Sequence, residues 1–310
     1  MSLDLLCMGE PMLELNRRHE TAEGEPLYLE GFGGDTSNAA IAAARQGARS
    51  GYITALGQDG PGEQFMALWR REGVDATHIH RDKAARTGLY LVTHGPEGHE
   101  FQFYRAGSAA SRYTPDLLPR DALRAARMFY ASGISLAIST SAADAVFEAI
   151  RTAREAGVTV AFDTNYRASL WPVPRAAAMI MAAVAQTDIA LPGLDDTRTL
   201  IGLEDPDAIL DHYLRLGPKI VVLKMGSEGT YLATAEGRVR IPPFPCKPVD
   251  ATGAGDTFCG SFLARILAGD APEVAARYAA CAAALSTEGY GAVAPIPSAS
   301  RVRAALQQAG

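Results

Sequence analysis

The amino-acid sequence predicts an α/β fold, in which a mostly parallel sheet lies between layers of helices. Short apolar runs typical of strands alternate with amphipathic segments typical of helices along most of the chain. Several of these strands are apolar throughout, as expected of strands buried on both faces of a sheet. With 310 residues, of which 48% are hydrophobic and 21% charged, the chain can bury a large core, and one α/β core of this size is ordinary.

The first elements of the chain follow this alternation. The apolar runs at 5–8 and 12–15 predict two strands that open the core sheet, and residues 28–32 predict a third strand. The alanine-rich segment at about 36–46 predicts a helix, and Gly47 can end it. The next elements are a strand at 50–56, a loop at 57–62 and a helix with Phe65, Leu68 and Trp69 facing inward.

The pattern changes after residue 87, where two strand-like runs are joined by a short turn. Residues 89–93 and 100–105, joined by 94–98, predict a hairpin in a small separate sheet. The alternation then resumes, with strands predicted at 128–132, 158–163, 189–191 and 220–223, helices at 142–156, 175–186 and 207–216, a hairpin at 231–241, and C-terminal helices at 271–285 and 298–308.

Composition and charge argue for a soluble protein with a small-molecule partner. The formal net charge is −6 and no long run of Lys or Arg occurs, which argues against nucleic acid or an anionic membrane as the partner. The four cysteines lack CxxC spacing, so we expect reduced thiols and a cytoplasmic location. No apolar run approaches the length of a membrane span, and residues 1–8 do not resemble a signal peptide.

The stretch VDATGAGDTF at 249–258 carries the strongest chemical signal. Apolar residues at 258, 262 and 266 predict a helix that begins near Gly253, with free amides in its first turn. Gly253 and Gly255 let a charged group approach the backbone, and the helix dipole favours an anion there. This turn could bind a phosphoryl group and is called the phosphoryl seat below. Asp256 would place a carboxylate beside it, able to accept a proton from a hydroxyl. The alternative is a glycine-rich turn capped by an aspartate.

Further unusual loops follow the predicted strands at the same sheet edge. They are Gly33-Gly34, 163–167, 192–196 and 224–229. In an open α/β sheet, ligands bind beyond the carboxyl ends of the strands, so these loops predict one long cleft. The chain contains neither GxxxxGK[ST] nor GxGxxG, which argues against a P-loop or dinucleotide site.

These residues resemble the ribokinase-like, or phosphofructokinase-B, family of sugar kinases over nearly the whole chain. Two signatures carry the resemblance: the first comprises Gly33-Gly34, Asn38-Ala39, Gly47, Gly57-Gln58-Asp59, Gly62 and Gly73-Val74, and the second is DATGAGD at 250–256. The resemblance implies a three-layer α/β/α sandwich forming a single domain over residues 1–310. It also implies a small β-lid built from about 12–32 and 87–107.

The resemblance also implies roles for individual residues. Asp256 is then the catalytic base, and Gly253, Ala254 and Gly255 form the anion hole for the transferred phosphoryl group. The implied cofactors are ATP and Mg²⁺, and a monovalent cation such as K⁺ is a further expectation. Further expected contacts are Asn165 and Lys224 with the phosphates, Gly226 and Gly229 with the nucleotide, and Asp196 with the metal through water. Asp196 ends Gly193-Leu194-Asp195-Asp196, where the family has Asn-x-x-Glu, so the first amide is lost.

Within the family the sequence is most similar to 2-keto-3-deoxygluconate kinases. The similar segments are 103–109, 162–167 with Leu170-Trp171, and 222–226. In those enzymes the residues that match Gly34, Asn38, Tyr90, Tyr104, Arg105 and Arg167 bind the sugar acid. An arginine fork suits a carboxylate, which a neutral sugar lacks. Alternatively, Arg105 pairs with Glu100 on the hairpin surface and Tyr90 belongs to the core of the lid.

The predicted reaction is ATP-dependent phosphorylation of 2-keto-3-deoxygluconate at its 6-hydroxyl. The sequence leaves open a kinase for fructose, 5-dehydro-2-deoxygluconate or a galactose-derived keto acid, and, from another class, a non-catalytic sugar or nucleotide sensor. Glu10 and Glu14 stand where many kinases of neutral sugars have an aspartate. The exposed edges of the lid hairpin could pair with a second copy, so a homodimer through the lid is expected.

Overall fold

The computed structural model describes residues 2–21, 24–95 and 98–309. In chain order its strands are β1 (Leu5–Met8), β2 (Met12–Glu20), β3 (Pro26–Gly33), β4 (Ser50–Gly57), β5 (Ile79–Asp82), β6 (Gly88–Gly95), β7 (Gly98–Tyr104), β8 (Met128–Ser132), β9 (Thr159–Asp163), β10 (Ile189–Ala190), β11 (Ile220–Lys224), β12 (Thr230–Thr234) and β13 (Gly237–Ile241). Its helices are α1 (Asp35–Arg45), α2 (Gly60–Glu72), α3 (Arg120–Ala125), α4 (Gly133–Ala137), α5 (Thr140–Glu155), α6 (Val173–Val184), α7 (Leu194–Ile201), α8 (Pro206–Leu216), α9 (Ala254–Leu267), α10 (Pro272–Ser286) and α11 (Ala299–Ala309).

The predicted α/β class is confirmed by a large, mostly parallel sheet. Within the described residues, nine strands follow the order β13-β12-β11-β10-β9-β8-β1-β4-β5, and only the pairs β11–β12 and β12–β13 are antiparallel. Strand order reverses beside β1, because the chain continues to β4 on one side and later returns to β8 on the other. The carboxyl ends of the strands near this reversal are where such sheets bind ligands.

Alternation along each buried strand divides the core between the two faces of this sheet. Leu5 and Cys7 pack with α1, α2, α9 and α10, whereas Leu6 and Met8 pack with α5, α6 and α8. The strand is therefore apolar on both sides, as the continuous hydrophobic run predicts. Helices cover both faces, which gives the three layers that were expected.

A second sheet of four strands, in the order β3-β2-β6-β7, contains both segments predicted for the lid. The expectation that residues 12–15 help to open the core sheet is wrong, since this run begins β2, which pairs with β3 and β6. An apolar run specifies a strand but not its sheet, and here the chain leaves the core sheet after Met8. Residues 96 and 97 of the predicted 94–98 turn lie outside the described residues.

Four short elements were not predicted by the sequence pattern, namely β5, α3, α4 and α7. Strand β5 is mostly polar and lies at the sheet edge, and α7 begins within the segment that was expected to be a loop at 192–196. None of the four is long enough to show a clear apolar period. Among the described residues, no helix is both long and apolar enough to cross a membrane.

Helices α1 and α9 pack so closely that Gly260 of α9 has no room for a side chain. A Cβ atom added to Gly260 would lie 2.1 Å from the carbonyl oxygen of Ala39 and 2.8 Å from the Cβ of Ala42. The small residues of α1 permit this approach, which brings the N-termini of both helices to the carboxyl edge of the sheet.

We expect Gly260→Ala to destabilise the fold by about 1–3 kcal/mol, the usual cost of overpacking a buried site. Gly60→Ala is the matched control, because a Cβ at Gly60 meets no atom within 4 Å. Chemical denaturation of both variants measures the difference. Equal stability of the two variants would contradict this account of the α1–α9 contact.

Candidate active site

A cavity of about 520 Å³ lies at the carboxyl edge of the central sheet, beside the reversal of strand order. Glu10, Asp163 and Lys224 line it from the ends of β1, β9 and β11. Most of the residues predicted to form a site are brought together here, namely Gly34, Asn38, Tyr90, Arg105, Asn165, Arg167, Asp196, Lys224, Gly253, Gly255 and Asp256. Tyr104, Gly226, Gly229 and Ala254 do not line this cavity.

The turn before α9 is held by Asp250. Its carboxylate accepts bonds from the amide and hydroxyl of Thr252 at 2.9 and 2.6 Å and from the amide of Gly291 at 2.9 Å. Gly253 caps the helix at φ 75°, where a Cβ would lie 3.0 Å from Ala292. Only glycine suits this position, so the backbone can present its amides to the cavity.

The amides of this turn are not equivalent. The amide of Ala254 donates to the carbonyl of Ala251 at 3.1 Å, whereas within the described residues the amides of Gly253 and Gly255 have no backbone acceptor. The helix dipole adds to their attraction for an anion. Gly253 and Gly255 are thus available for an anion hole, while the amide of Ala254 is already engaged in the turn.

Asp256 lies in the first turn of α9, and the amide of Asn38 donates to its Oδ2 at 2.8 Å. Burial, together with the nearby carboxyl of Asp35, raises the pKa of Asp256 to about 7. The helix dipole favours an anion at this position. Burial nevertheless raises the pKa of Asp256, because it disfavours the charged form.

Asp163, at the end of β9, forms an ion pair with Lys224. Its Oδ2 accepts a hydrogen bond from Lys224 Nζ at 2.6 Å, and its Oδ1 accepts the amide of Asn165 at 3.1 Å. Burial alone would lower the pKa of Lys224, but the Asp163 carboxylate outweighs that effect and raises it. The Asn165 side chain donates to Asp35 at 2.8 Å, so these polar groups form one network.

Asp196, the residue expected to contact a metal, lies in the first turn of α7 and lines the cavity. Burial and the neighbouring Asp163 raise its pKa, and the Thr164 hydroxyl donates to its Oδ2 at 3.4 Å. Over the described ranges, no three acidic, His or Cys side chains are close enough to hold a metal ion. Mg²⁺ commonly uses one or two carboxylates together with substrate phosphates, so Asp196 fits that donor set.

A second, mostly apolar cavity of about 360 Å³ adjoins the first at Lys224, Ala251 and Gly255. Gly226, Gly229 and Ala254 line it, together with Pro243, Phe244, Phe258 and Ala284. The residues expected to border a nucleotide therefore lie beside the phosphoryl seat rather than in the same cavity. An apolar slot next to an anion seat suits a base joined to phosphates.

The two candidate arginines have different partners. Arg167 is exposed, its Nη1 donates to the carbonyl of Tyr166 at 3.0 Å, and no carboxylate of the described residues lies within ion-pairing distance. Arg105 pairs with Glu10, with Nη2 and Oε2 2.5 Å apart. The alternative in which Arg105 pairs with Glu100 is therefore wrong, because Arg105 follows β7 and turns towards the core.

The aromatic wall of the cavity comes from β6 and β7. The Tyr90 hydroxyl donates to Glu14, and its ring lies 5.7 Å from that of Phe103 and 6.2 Å from that of Phe101. Tyr104 is 58% exposed and lies outside the cavity, because neighbouring residues of a strand point to opposite faces. The structure therefore does not bring Tyr104 together with Arg105 and Phe103.

Several residues of the site were missed by the sequence reasoning. Phe101 and Phe103 could have been found from the two-residue period that also contains Arg105. Asp35 directly follows the glycine pair, and its position in the first turn of α1 was a usable signal. Neither the Glu10–Arg105 pair nor the bond from Cys259 to Asp163 at 3.2 Å has a local sequence signal.

The geometry defines a class of protein. A carboxyl at a helix N-terminus, free amides beside it and a polar cavity joined to an apolar slot are typical of a small-molecule kinase. The chain belongs to the pfkB family of carbohydrate kinases, whose model matches residues 2–299. It is a sugar kinase of the ribokinase-like fold.

Known proteins of this family cover almost the entire chain. A 2-dehydro-3-deoxygluconokinase of Thermoproteus tenax is 34% identical over 91% of this chain and 88% of its own. A fructokinase-2 of Solanum habrochaites is 33% identical over 91% and 89%. The crystal structure of a PfkB protein from Polaromonas sp. JS666 is similar with a TM-score of 0.89 at 29% identity, covering 98% of this chain and 100% of that one.

We expect kcat/KM for the sugar to fall roughly tenfold for each pH unit below about pH 7, because a base acts only when deprotonated. Asp256→Asn should reduce turnover by about 10²–10⁴-fold. Asp144→Asn, on the exposed face of α5, is the matched control. Steady-state rates between pH 5 and 9 check both expectations. Near-normal turnover in the Asn variant would show that Asp256 is not the base.

A second prediction separates the two faces of β7. Phe103→Ala should raise KM for the sugar about tenfold, because the ring forms part of the cavity wall. Tyr104→Ala should have little effect on KM. Initial-rate measurements on the two variants give both KM values. A larger rise in KM for Tyr104→Ala than for Phe103→Ala would place Tyr104 in the sugar site instead.

Proposed function

We propose that the protein transfers the γ-phosphoryl group of ATP to the 6-hydroxyl of a 2-keto-3-deoxy sugar acid, with 2-keto-3-deoxygluconate as the favoured acceptor. The observation that carries this proposal is that Arg105 and Arg167 line the same cavity as Asp256. A planar guanidinium can bind a carboxylate through two parallel hydrogen bonds. The name of the Thermoproteus tenax relative is consistent with this acceptor.

The proposed reaction assigns a role to several polar groups of the cavity. Asp256 accepts the proton of the attacking hydroxyl, and the bond from Asn38 orients the carboxyl. The amides of Gly253 and Gly255, together with Lys224, stabilise the negative charge on the phosphoryl oxygens in transfer. The Asp163 carboxylate keeps Lys224 charged and in place.

The nucleotide and metal assignments belong to the same proposal. Gly226 and Gly229 border the apolar slot for the base, and Asn165 lies near the phosphates. Mg²⁺ would neutralise charge on the β- and γ-phosphates, with Asp196 as its nearest carboxylate. A solved structural neighbour from E. coli, 23% identical, is described as a complex with ATP and Mg²⁺. A monovalent cation, a homodimer through the lid and a cytoplasmic location stay predictions.

The lid and domain assignments also stay proposals. The four-stranded sheet contributes Tyr90, Phe101 and Phe103 to the cavity, which supports its role as a lid. We take residues 1–310 as one domain, since the two sheets share that cavity.

A kinase of fructose is the second candidate. Arg105 already has a carboxylate partner in Glu10, and a relative of nearly equal identity carries the name fructokinase-2. In this alternative Arg105 only closes the cavity, and the hydroxyls of a neutral sugar face Asp256. Substrate assays separate the two candidates.

We expect the protein to phosphorylate 2-keto-3-deoxygluconate in an ATP-coupled assay and to prefer it to fructose. Arg167→Ala should raise KM for the sugar acid about 10- to 100-fold, because a hydrogen bond to a charged group contributes about 1.5–3 kcal/mol. The KM of Arg167→Lys should lie between those of the wild-type protein and Arg167→Ala, since lysine keeps the charge but cannot form two parallel hydrogen bonds.

Arg124→Ala serves as the control, because Arg124 is exposed on α3 and, among the described residues, its ion-pair partner is the exposed Asp121. Preference for fructose, with KM unchanged in Arg167→Ala, would favour the neutral-sugar kinase. Failure to phosphorylate any keto acid, fructose or ribose would indicate a sensor.

A further inference from the structure

Glu10 lies in the connection between β1 and β2, where the chain passes from the central sheet to the second sheet. Its side chain is 0% exposed, and that of Arg105 is 11% exposed. The Oε2 atom of Glu10 lies 2.5 Å from Nη2 of Arg105, and the Ser108 hydroxyl donates to Oε1 at 2.6 Å. A carboxylate buried this deeply requires such partners, since burial without them is costly.

The other connections between the two sheets enclose Glu10. A Cβ atom at Gly88, where β6 begins, would lie 3.0 Å from Oε1. A Cβ at Gly34, between β3 and α1, would lie 2.6 Å from the Glu10 carbonyl oxygen. Arg105 itself follows β7. All four connections therefore meet at Glu10, and its carboxylate has little room to move.

The guanidinium of Arg105 is not fully used by this pair. A guanidinium carries five N–H donors, and in the described part of the chain the side chain of Arg105 has Glu10 as its sole ion-pair partner. Arg105 lines the cavity together with Arg167 and Asp256. Glu10 thus pairs with one terminal nitrogen of the guanidinium, and the described residues provide no other ion-pair partner for its remaining N–H donors.

We infer that Glu10 is a positioning residue that sets the selectivity of this kinase for sugar acids, by fixing Arg105 so that its remaining donors face the substrate carboxylate. This inference rests on the proposed function. Among the described residues Glu10 is the ion-pair partner of Arg105 and Arg167 has none, so both guanidinium groups can take part in binding a substrate carboxylate. Fixing a donor in its bound orientation increases affinity by reducing the ordering that binding requires.

A Glu10 that competes with the substrate would change KM for the sugar acid in the opposite direction. If Glu10 merely competed with the substrate for Arg105, Glu10→Gln would leave both arginines uncompensated and would lower KM for the sugar acid. If Glu10 positions Arg105, the same substitution releases the guanidinium and raises KM. The direction of the change in KM therefore distinguishes the two roles.

The experiment is a double-mutant cycle measured with 2-keto-3-deoxygluconate and saturating MgATP. We expect Glu10→Gln to raise KM about tenfold with a smaller change in kcat, and to have no further effect in the Arg105→Ala background. In the Arg167→Ala background, the matched control, its full effect should persist. A lower or unchanged KM, or an equal effect of Glu10→Gln in both backgrounds, would overturn the inference.

Thermal melting of each variant first establishes that it folds. Should Glu10→Gln not fold, Glu10→Asp takes its place in the cycle, because it keeps the charge but is too short to hold Arg105. The same signs and the same coupling are then expected. Wild-type protein that fails to phosphorylate the sugar acid would overturn the proposed function and the inference with it. Wild-type activity without Glu10–Arg105 coupling would overturn the inference alone.

Discussion

The site depends first on the close contact between α1 and α9. Because Gly260 has no side chain, the two helices approach until no room for a Cβ atom is left beside the Ala39 carbonyl, and at their N-terminal ends the Asn38 side chain donates to Asp256. The same contact places Asp35 and Asp256 in the first turns of adjacent helices, where Asp35 is buried and Asp256 is half-buried. Burial raises the pKa of both carboxyl groups, with a further contribution from Asp163 at Asp35 and from Asp35 at Asp256. A packing constraint among small residues thus sets the protonation of the candidate base.

Two ion pairs lie on opposite sides of the site. On the core side, the ion pair of Asp163 and Lys224 faces the phosphoryl seat, and on the lid side Glu10 is paired with Arg105. Arg167 has no such partner in the described chain, yet its charge lowers the pKa of Asp256 against the larger effect of burial. The carboxyl groups of Asp35, Asp196 and Asp256 also line the cavity, so Arg167 supplies a local rather than a net positive charge.

Local patterns in the sequence were sufficient for the fold class, for most helices and strands, and for the turn around Asp256. Periodicity and glycine positions carry that information within a few residues. Contacts distant in sequence were not predictable from local patterns, as Glu10 and Arg105 show. The apolar pattern also assigned residues 12–15 to the wrong sheet, whereas the family resemblance implied the lid. Tyr104 illustrates a different limit: the resemblance grouped it with Arg105, although strand alternation separates their side chains.

The division of the site between sheets bears on how substrate choice is encoded. Asp256, Lys224 and the amides of α9 belong to the core, whereas Tyr90 and Phe103 come from the second sheet and Arg105 from its return to the core. Substitutions in the second group can change the acceptor while leaving phosphoryl transfer intact. Relatives named for a sugar acid and for fructose are 34% and 33% identical to this chain, so overall identity cannot separate these acceptors. In the proposed function, the residues where the two sheets meet carry that difference, and Glu10 lies among them.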